Sequence, residues 1–410
     1  MSHADTQESP YAWMRLWVAL ALMTIGGSGM YSMAVALPPL QAEFGIARAD
    51  ASLPFTLTMI GFGLGGVLMG RLSDRFGVIV PALLGSASLG LGFIGASFSH
   101  NLLQFTAIQG LLIGVGTSGT FVPLVADITL WFTRRRGIAV AVVMSGNYLA
   151  GTVWPPLMQH FIDTAGWRTT YMGTGLICLV AMPLLALALR RKPPAIAGLA
   201  PTRAGARGAP SSPERPLGFS PNQLQGLLCV SGVACCVAMS MPQVHMVAYC
   251  ADLGFPAARG AEMLALMMGF GIVSRLASGW IADHIGGLRT LLLGAALQAT
   301  ALALFLPFDG LAGLYVVSAL FGLFQGGIVP SYPLIVREYF SPREAGARTG
   351  TVIMATLGGM ALGGWLPGWI FDMTGSYHAA FANGIAWSLV TTTIALLLIA
   401  RARRLTLRAT

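Results

Sequence analysis

Arg275 is the residue whose type and surroundings most demand chemistry, because it stands inside an apolar run spanning roughly residues 260–282. A guanidinium at membrane depth costs ~2.5–3.5 kcal/mol even on insertion scales, and it stays protonated. Two partners can compensate it. One is a carboxylate on another span, as a fixed ion pair. The other is a carboxylate arriving from solution, gripped by two parallel hydrogen bonds. Asp127 is the one acid clearly inside an apolar run, a turn from that run's end near Trp131. Its expected role is a gate partner of Arg71 or of Arg134, Arg135 and Arg136, with proton carriage as the alternative. His245, beside Pro242, reads either as a hydrogen-bonded packing residue or as an outer-gate or protonatable group. Asn147 and Gln325 are further polar residues in apolar runs and are cavity candidates.

A second pattern is spaced rather than single. Gly70, Asp74, Arg75 and Gly77 form a GxxxDxxG loop after one apolar run, and Gly279, Asp283 and Gly286 repeat it 209 positions later. Glycine permits a tight turn and close helix approach, and Asp near a helix end can accept from Arg or backbone donors and lock that side. The same offset pairs Gly137 with Gly346, Asp163 with Asp372 and Gly166 with Gly375. One register shared over so much of the chain marks an internal repeat.

Other chemistries are excluded. The only lysine, Lys192, stands in Arg-Arg-Lys-Pro-Pro, so no phosphate-binding loop can be built and no ATPase is expected. There is no HExxH, no GxSxG and no pair of carboxylates at mid-depth, which argues against an enzyme. The five cysteines, Cys178, Cys229, Cys235, Cys236 and Cys250, lack metal-ligand spacing, so neither a metal nor a cofactor is expected.

The elements that must position these residues follow from composition. Of 410 residues, 55% are hydrophobic and only 10% charged, against about 25% charged in a soluble domain. The chain is therefore a polytopic membrane protein, all-α, with twelve apolar runs between residues 16 and 400. The net charge of +9 does not point to nucleic acid. With the amino terminus in the cytoplasm, twenty of the 24 Lys and Arg fall on the cytoplasmic side, while only Arg48, Arg168 and Arg259 fall opposite. Both termini are accordingly expected inside, in a prokaryotic cytoplasmic membrane. The Pro-, Gly- and Ser-rich stretch 191–221 reads as a cytoplasmic linker. It separates six-helix halves at 14–190 and 222–400, flanked by tails at 1–13 and 401–410. Six spans per repeat give the halves the same orientation in the membrane.

With these motifs the chain resembles a major facilitator superfamily transporter, whose signature loop between helices 2 and 3 is matched by Gly70, Asp74, Arg75 and Gly77. More finely, it resembles the monocarboxylate transporter and oxalate/formate antiporter branch. That likeness is carried by Trp131 through Ala139, Gly166-Trp167-Arg168, His245 through Tyr249 with Asp252-Leu253-Gly254, Arg275 eight residues before Asp283, and Asp372 through Tyr377. The resemblance implies that Arg275 matches the helix 8 arginine that binds the substrate carboxylate. It likewise implies that Tyr332, in Pro330-Ser331-Tyr332-Pro333, faces the central cavity, with tight packing at a proline-bent helix as the alternative, and Phe121 stands where relatives often carry Tyr. Two departures stand out. Gly271 occupies the place of the Asp that animal carriers use for proton coupling, and helices 1 and 11 carry no Lys. The expected function is transport of a small organic monocarboxylate, coupled to a proton held by the substrate, His245 or Asp127. The alternatives are an organic-anion exchanger or a non-transporting sensor. The expected partners are the carboxylate, protons and the lipid bilayer, the working unit being a monomer.

Overall fold

The computed structural model describes residues 8–132, 135–191, 216–341 and 344–409. Arg134, Lys192 and most of the expected linker, 192–215, lie outside the described residues. Among the described residues all regular structure is helical, and eleven helices are long and apolar enough to cross a membrane. One of them is double. Arg136–Leu187 has 52 residues, which is ~78 Å of helix against a hydrocarbon core of ~30 Å. It is broken by non-helical backbone at Gly166 and so makes two spans.

We number twelve helices. They are α1 (Pro10–Phe44), α2 (Arg48–Phe76), α3 (Ile79–Ser97), α4 (Leu102–Trp131), α5 (136–165) and α6 (167–187). After the linker come α7 (Pro221–Asp252), α8 (Ala257–Ile285), α9 (Gly287–Leu304), α10 (Leu311–Tyr339), α11 (Ala345–Thr374) and α12 (Tyr377–Ala409). The first helix thus begins inside the expected tail, and the last runs on through most of residues 401–410. Local signals start the helices where expected. Ser9 caps α1 ahead of Pro10, Asn101 caps α4, and Ser220 with Gln223 forms a capping box on α7. Prolines bend α1 at Pro38 and Pro39, α7 at Pro242 and α11 at Pro367.

The chain divides into two units, Met1–Ile46 with Leu53–Arg207, and Ala47–Ser52 with Gly208–Thr410. The first turn of α2 therefore belongs with the second unit, which the boundaries read from sequence do not anticipate. Within the first unit, close packing uses small residues: a Cβ on Gly85 would lie 2.9 Å from the Gly116 carbonyl, and one on Gly175 2.7 Å from that of Gly90. Large apolar side chains such as Leu64, Leu103, Leu111 and Leu184 point outward and are exposed, as a lipid-facing surface requires. The second unit repeats this arrangement with Val273, Trp280 and Met373 outward.

The repeat is visible in the backbone. Gly45 and Gly254, Gly77 and Gly286, and Gly166 and Gly375 all adopt positive φ, between 61° and 84°, and each pair is 209 residues apart. In the GxxxDxxG loops it is the last glycine that has work to do. Gly77 and Gly286 close α2 and α8 at φ of 80° and 82°, where a side chain is strained. Gly279 meets nothing within 4 Å and Gly70 makes only ordinary contact with Val122, so close helix approach does not explain the first glycines. Gly286→Ala is expected to cost about 1–3 kcal/mol, whereas Gly279→Ala in mid-helix should stabilise slightly. Thermal melts of the two variants in detergent check the opposite signs.

Candidate functional site

Arg275 lies in α8, a helix of 29 residues, ten before its end at Ile285, or ~15 Å along the axis. At 3.6 residues per turn it shares a face with Leu264, Met268, Gly271 and Ala282, all buried. The opposite face, Phe270, Val273 and Trp280, is exposed. Arg275 itself is half-buried. The helix thus sets Arg275 on the side away from its exposed apolar residues. Against the Arg275 turn packs α10: a Cβ on Gly326 would lie 2.6 Å from the Gly271 carbonyl and 2.8 Å from Ser274 Cβ. That contact sets Gln325, fully buried, at the level of Arg275. Gln325 Oε1 accepts from Gln243 Nε2 of α7 at 3.1 Å. Sequence reading named Gln325 but missed Gln243, which looks like one more polar residue in an apolar run.

Tyr332 is placed differently from its expectation. It is fully buried in the core of the second unit among Leu228, Ile335 and Val336. Its hydroxyl lies 3.0 Å from Ser231 Oγ and donates to Cys235 Sγ at 3.3 Å. The correction has a physical cause: Pro333 bends α10 against α7, and two small polar groups of α7 enclose the phenol, leaving it turned to packing rather than to a carboxylate.

His245 is buried, with Nε2 2.8 Å from the Gly364 carbonyl and Nδ1 2.9 Å from Tyr377 Oη. Tyr377 Oη also accepts from Arg48 Nη1 at 2.8 Å. Arg48 grips both carboxylate oxygens of Asp252, at 2.8 and 3.1 Å, and lies over the Phe371 ring. The amides of Arg48 and Ala49, orphan donors at the start of α2, are capped by Asp372 at 2.9 and 2.7 Å. All these groups belong to the second unit. Sequence reading counted Arg48 only as a loop charge.

In the first unit, Asp127 is corrected. Its partner among the described residues is Arg15 rather than Arg71 or Arg135; Arg134 lies outside them. Arg15 Nε and Nη2 hold its two oxygens at 2.7 and 2.8 Å. Arg15 Nη1 donates to the Leu189 and Arg191 carbonyls, and the guanidinium covers the Trp131 ring. The pair is buried, with side chains 1% and 9% exposed. The one acid that the sequence set at membrane depth is thus committed to a resident arginine. Phe121 is half-buried and meets Phe62 of α2 edge-on, with ring centres 5.6 Å apart. Asn147, also half-buried, lies beside the Gly26–Gly27 bend of α1, 3.6 Å from where a Gly27 Cβ would stand. Asp74 and Asp283 are exposed at the ends of α2 and α8, and Arg75 lies over Phe76.

Comparison with known proteins agrees with this architecture. The family model described as Major Facilitator Superfamily matches residues 17–315 and 289–409. A rat (Rattus norvegicus) protein named monocarboxylate transporter 13 is 28% identical over 341 residues, covering 81% of this chain and 74% of its own length. Its cattle (Bos taurus) namesake is 26% identical, covering 92% and 87%. Among solved structures, a peptide transporter POT in complex with sulfate superposes with a TM-score of 0.76 at 13% identity, covering 98% of this chain and 97% of that one. Such proteins are transporters and not enzymes. A helical repeat with a buried-face arginine, matched over most of its length by one family, settles the classification: the chain belongs to the Major Facilitator Superfamily, with monocarboxylate transporters among its relatives.

Proposed function

We propose that this protein is a secondary carrier of small organic monocarboxylates, lactate- or pyruvate-like or aromatic and hydroxy acids. It works by alternating access, with a proton moving alongside the substrate, and Arg275 binds the substrate carboxylate. The observation that carries the reading is the direction of Arg275, on the buried face of α8 beside Leu264, Met268 and Gly271. A cation there is costly unless it serves an anion. The planar guanidinium matches a carboxylate with two parallel hydrogen bonds. The Gln243–Gln325 amide pair at the same level offers donors and acceptors to a hydroxyl or oxo group next to that carboxylate. The names of the relatives support the substrate class. The absence of a lysine in α1 or α11 to act as a second fixed cation beside Arg275 favours a single negative charge. Phe121 and Asn147 would line the first unit's side of the pathway, while Gly70, Asp74, Arg75, Gly77, Gly279, Asp283 and Gly286 would form the cytoplasmic gate. The Lys and Arg distribution supports both termini in the cytoplasm, and the reading is completed by a monomer working in a prokaryotic cytoplasmic membrane.

The test starts with a thermal-shift screen of carboxylates on the purified protein, followed by uptake of the hits in proteoliposomes. Accumulation that grows with an inward proton gradient is the expected result. Uptake that ignores the gradient but needs internal anion would make the protein an exchanger. Binding with no flux would make it a sensor.

A further inference from the structure

Two segments singled out in the sequence, His245–Gly254 and Asp372–Tyr377, take no part in the carboxylate site, yet they meet at Arg48. With a neutral imidazole the donors there fall into one order. A carbonyl only accepts, so the Gly364 oxygen fixes the hydrogen of His245 on Nε2. A guanidinium only donates, so Tyr377 Oη accepts from Arg48, and its own hydrogen is directed to His245 Nδ1. Hydrogen bonds therefore run one way, from Arg48 through Tyr377 and His245 to Gly364. The imidazole in this chain is neutral.

Adding a proton at Nδ1 reverses one link. The new N–H faces a hydroxyl that already accepts from Arg48 and points its own hydrogen at Nδ1. That hydrogen needs another acceptor. The Asp252 carboxylate can serve, because Arg48 takes only one lone pair on each of its oxygens, but turning away costs the phenol its bond to Nδ1. Docked Arg48, a cation one hydroxyl away from Nδ1 and a donor to that hydroxyl, thus disfavours a proton on His245. The ionisable groups around His245 are Arg48 from α2, Tyr249 and Asp252 from its own helix, Asp372 from α11 and Tyr377 from α12. Asp309 lies near Tyr249. On α8, which packs through Gly260 against Val247, Arg259 and Glu262 pair with each other.

We propose that Arg48 and Tyr377 are positioning residues that keep His245 unprotonated while Arg48 is docked, so that undocking of Arg48 admits the coupling proton to His245 Nδ1. The proposal rests on the reading of transport as proton-coupled. The proton comes from water, the Tyr377 hydrogen turns to the vacated Asp252 carboxylate, and both moves reverse when Arg48 returns.

The experiment measures gradient-driven uptake in proteoliposomes as a function of external pH. Tyr377→Phe removes the donor that favours neutral imidazole, and Arg48→Gln removes the neighbouring cation. Each should raise the pH of half-maximal uptake by about half a unit or more. Arg48→Lys, which keeps charge and donor, should return the midpoint towards wild type. A merely structural role would lower the amount of folded protein or its rate without moving the midpoint. Should Tyr377→Phe fail to fold, Arg48→Gln decides alone. Wild-type uptake that ignores the gradient overturns proton coupling itself. A wild type that responds, with unmoved midpoints in the variants, overturns only this proposal.

Discussion

Replacing Arg275 with Gln is expected to lower carboxylate uptake in proteoliposomes by about 100-fold or more, while the variant inserts and melts like the wild type. Paired charge-assisted hydrogen bonds to a desolvated carboxylate contribute several kcal/mol, and each ~1.4 kcal/mol is a factor of ten. Glutamine spans a similar volume but offers a single amide without charge. Insertion should not suffer, because an arginine in a membrane span costs ~2.5–3.5 kcal/mol on insertion scales and an amide costs less. Arg275→Lys should retain little uptake, since an ammonium keeps the charge and loses the two-pronged geometry. Initial rates at fixed substrate, beside a melting curve, separate the two effects. Uptake by Arg275→Gln within threefold of wild type would remove Arg275 from the site.

Asp127→Asn should have the largest effect on stability, a loss of about 3–5 kcal/mol. The change keeps the shape of the side chain but leaves the Arg15 guanidinium buried without its charge partner, beneath Trp131 and against the end of α6. The paired substitution Arg15→Met with Asp127→Leu removes both charges and should recover most of the loss, because buried ion pairs often contribute little net stability over well-packed apolar groups. Thermal melts of the single and double variants in one detergent measure the difference. Equal destabilisation by both would mean that packing, not charge, governs the site.

What the sequence makes legible is what repeats locally. The span count, the 209-residue register and the place of Arg275 inside a span all follow from the sequence pattern itself. Pairings between distant helices are not legible in that way. Arg15 and Asp127 are 112 residues apart, and an arginine just before an apolar run is indistinguishable from an ordinary topology-setting charge. Arg48 escapes for the same reason, although both segments it joins carry the family likeness. Tyr332 misleads because a tyrosine between prolines fits a cavity wall and a tight bend equally well; only Ser231 and Cys235, 101 and 97 residues away, distinguish them. The Gly45 and Gly254 pair is legible too, since Ala42-Glu43-Phe44-Gly45-Ile46 and Ala251-Asp252-Leu253-Gly254-Phe255 keep the same residue types in the same register, but similar rather than identical residues hide the match.

The carboxylate that finishes the start of α2 belongs to Asp372, 324 positions downstream of Arg48. A ribosome moving at ~5–20 residues per second needs roughly 16–65 s to cover that distance. For that interval the amides of Arg48 and Ala49 must be met by water or lipid headgroups. An early helix thus matures only when the penultimate one has been delivered, and a nascent polypeptide cut short before it carries a frayed end that membrane quality control can recognise.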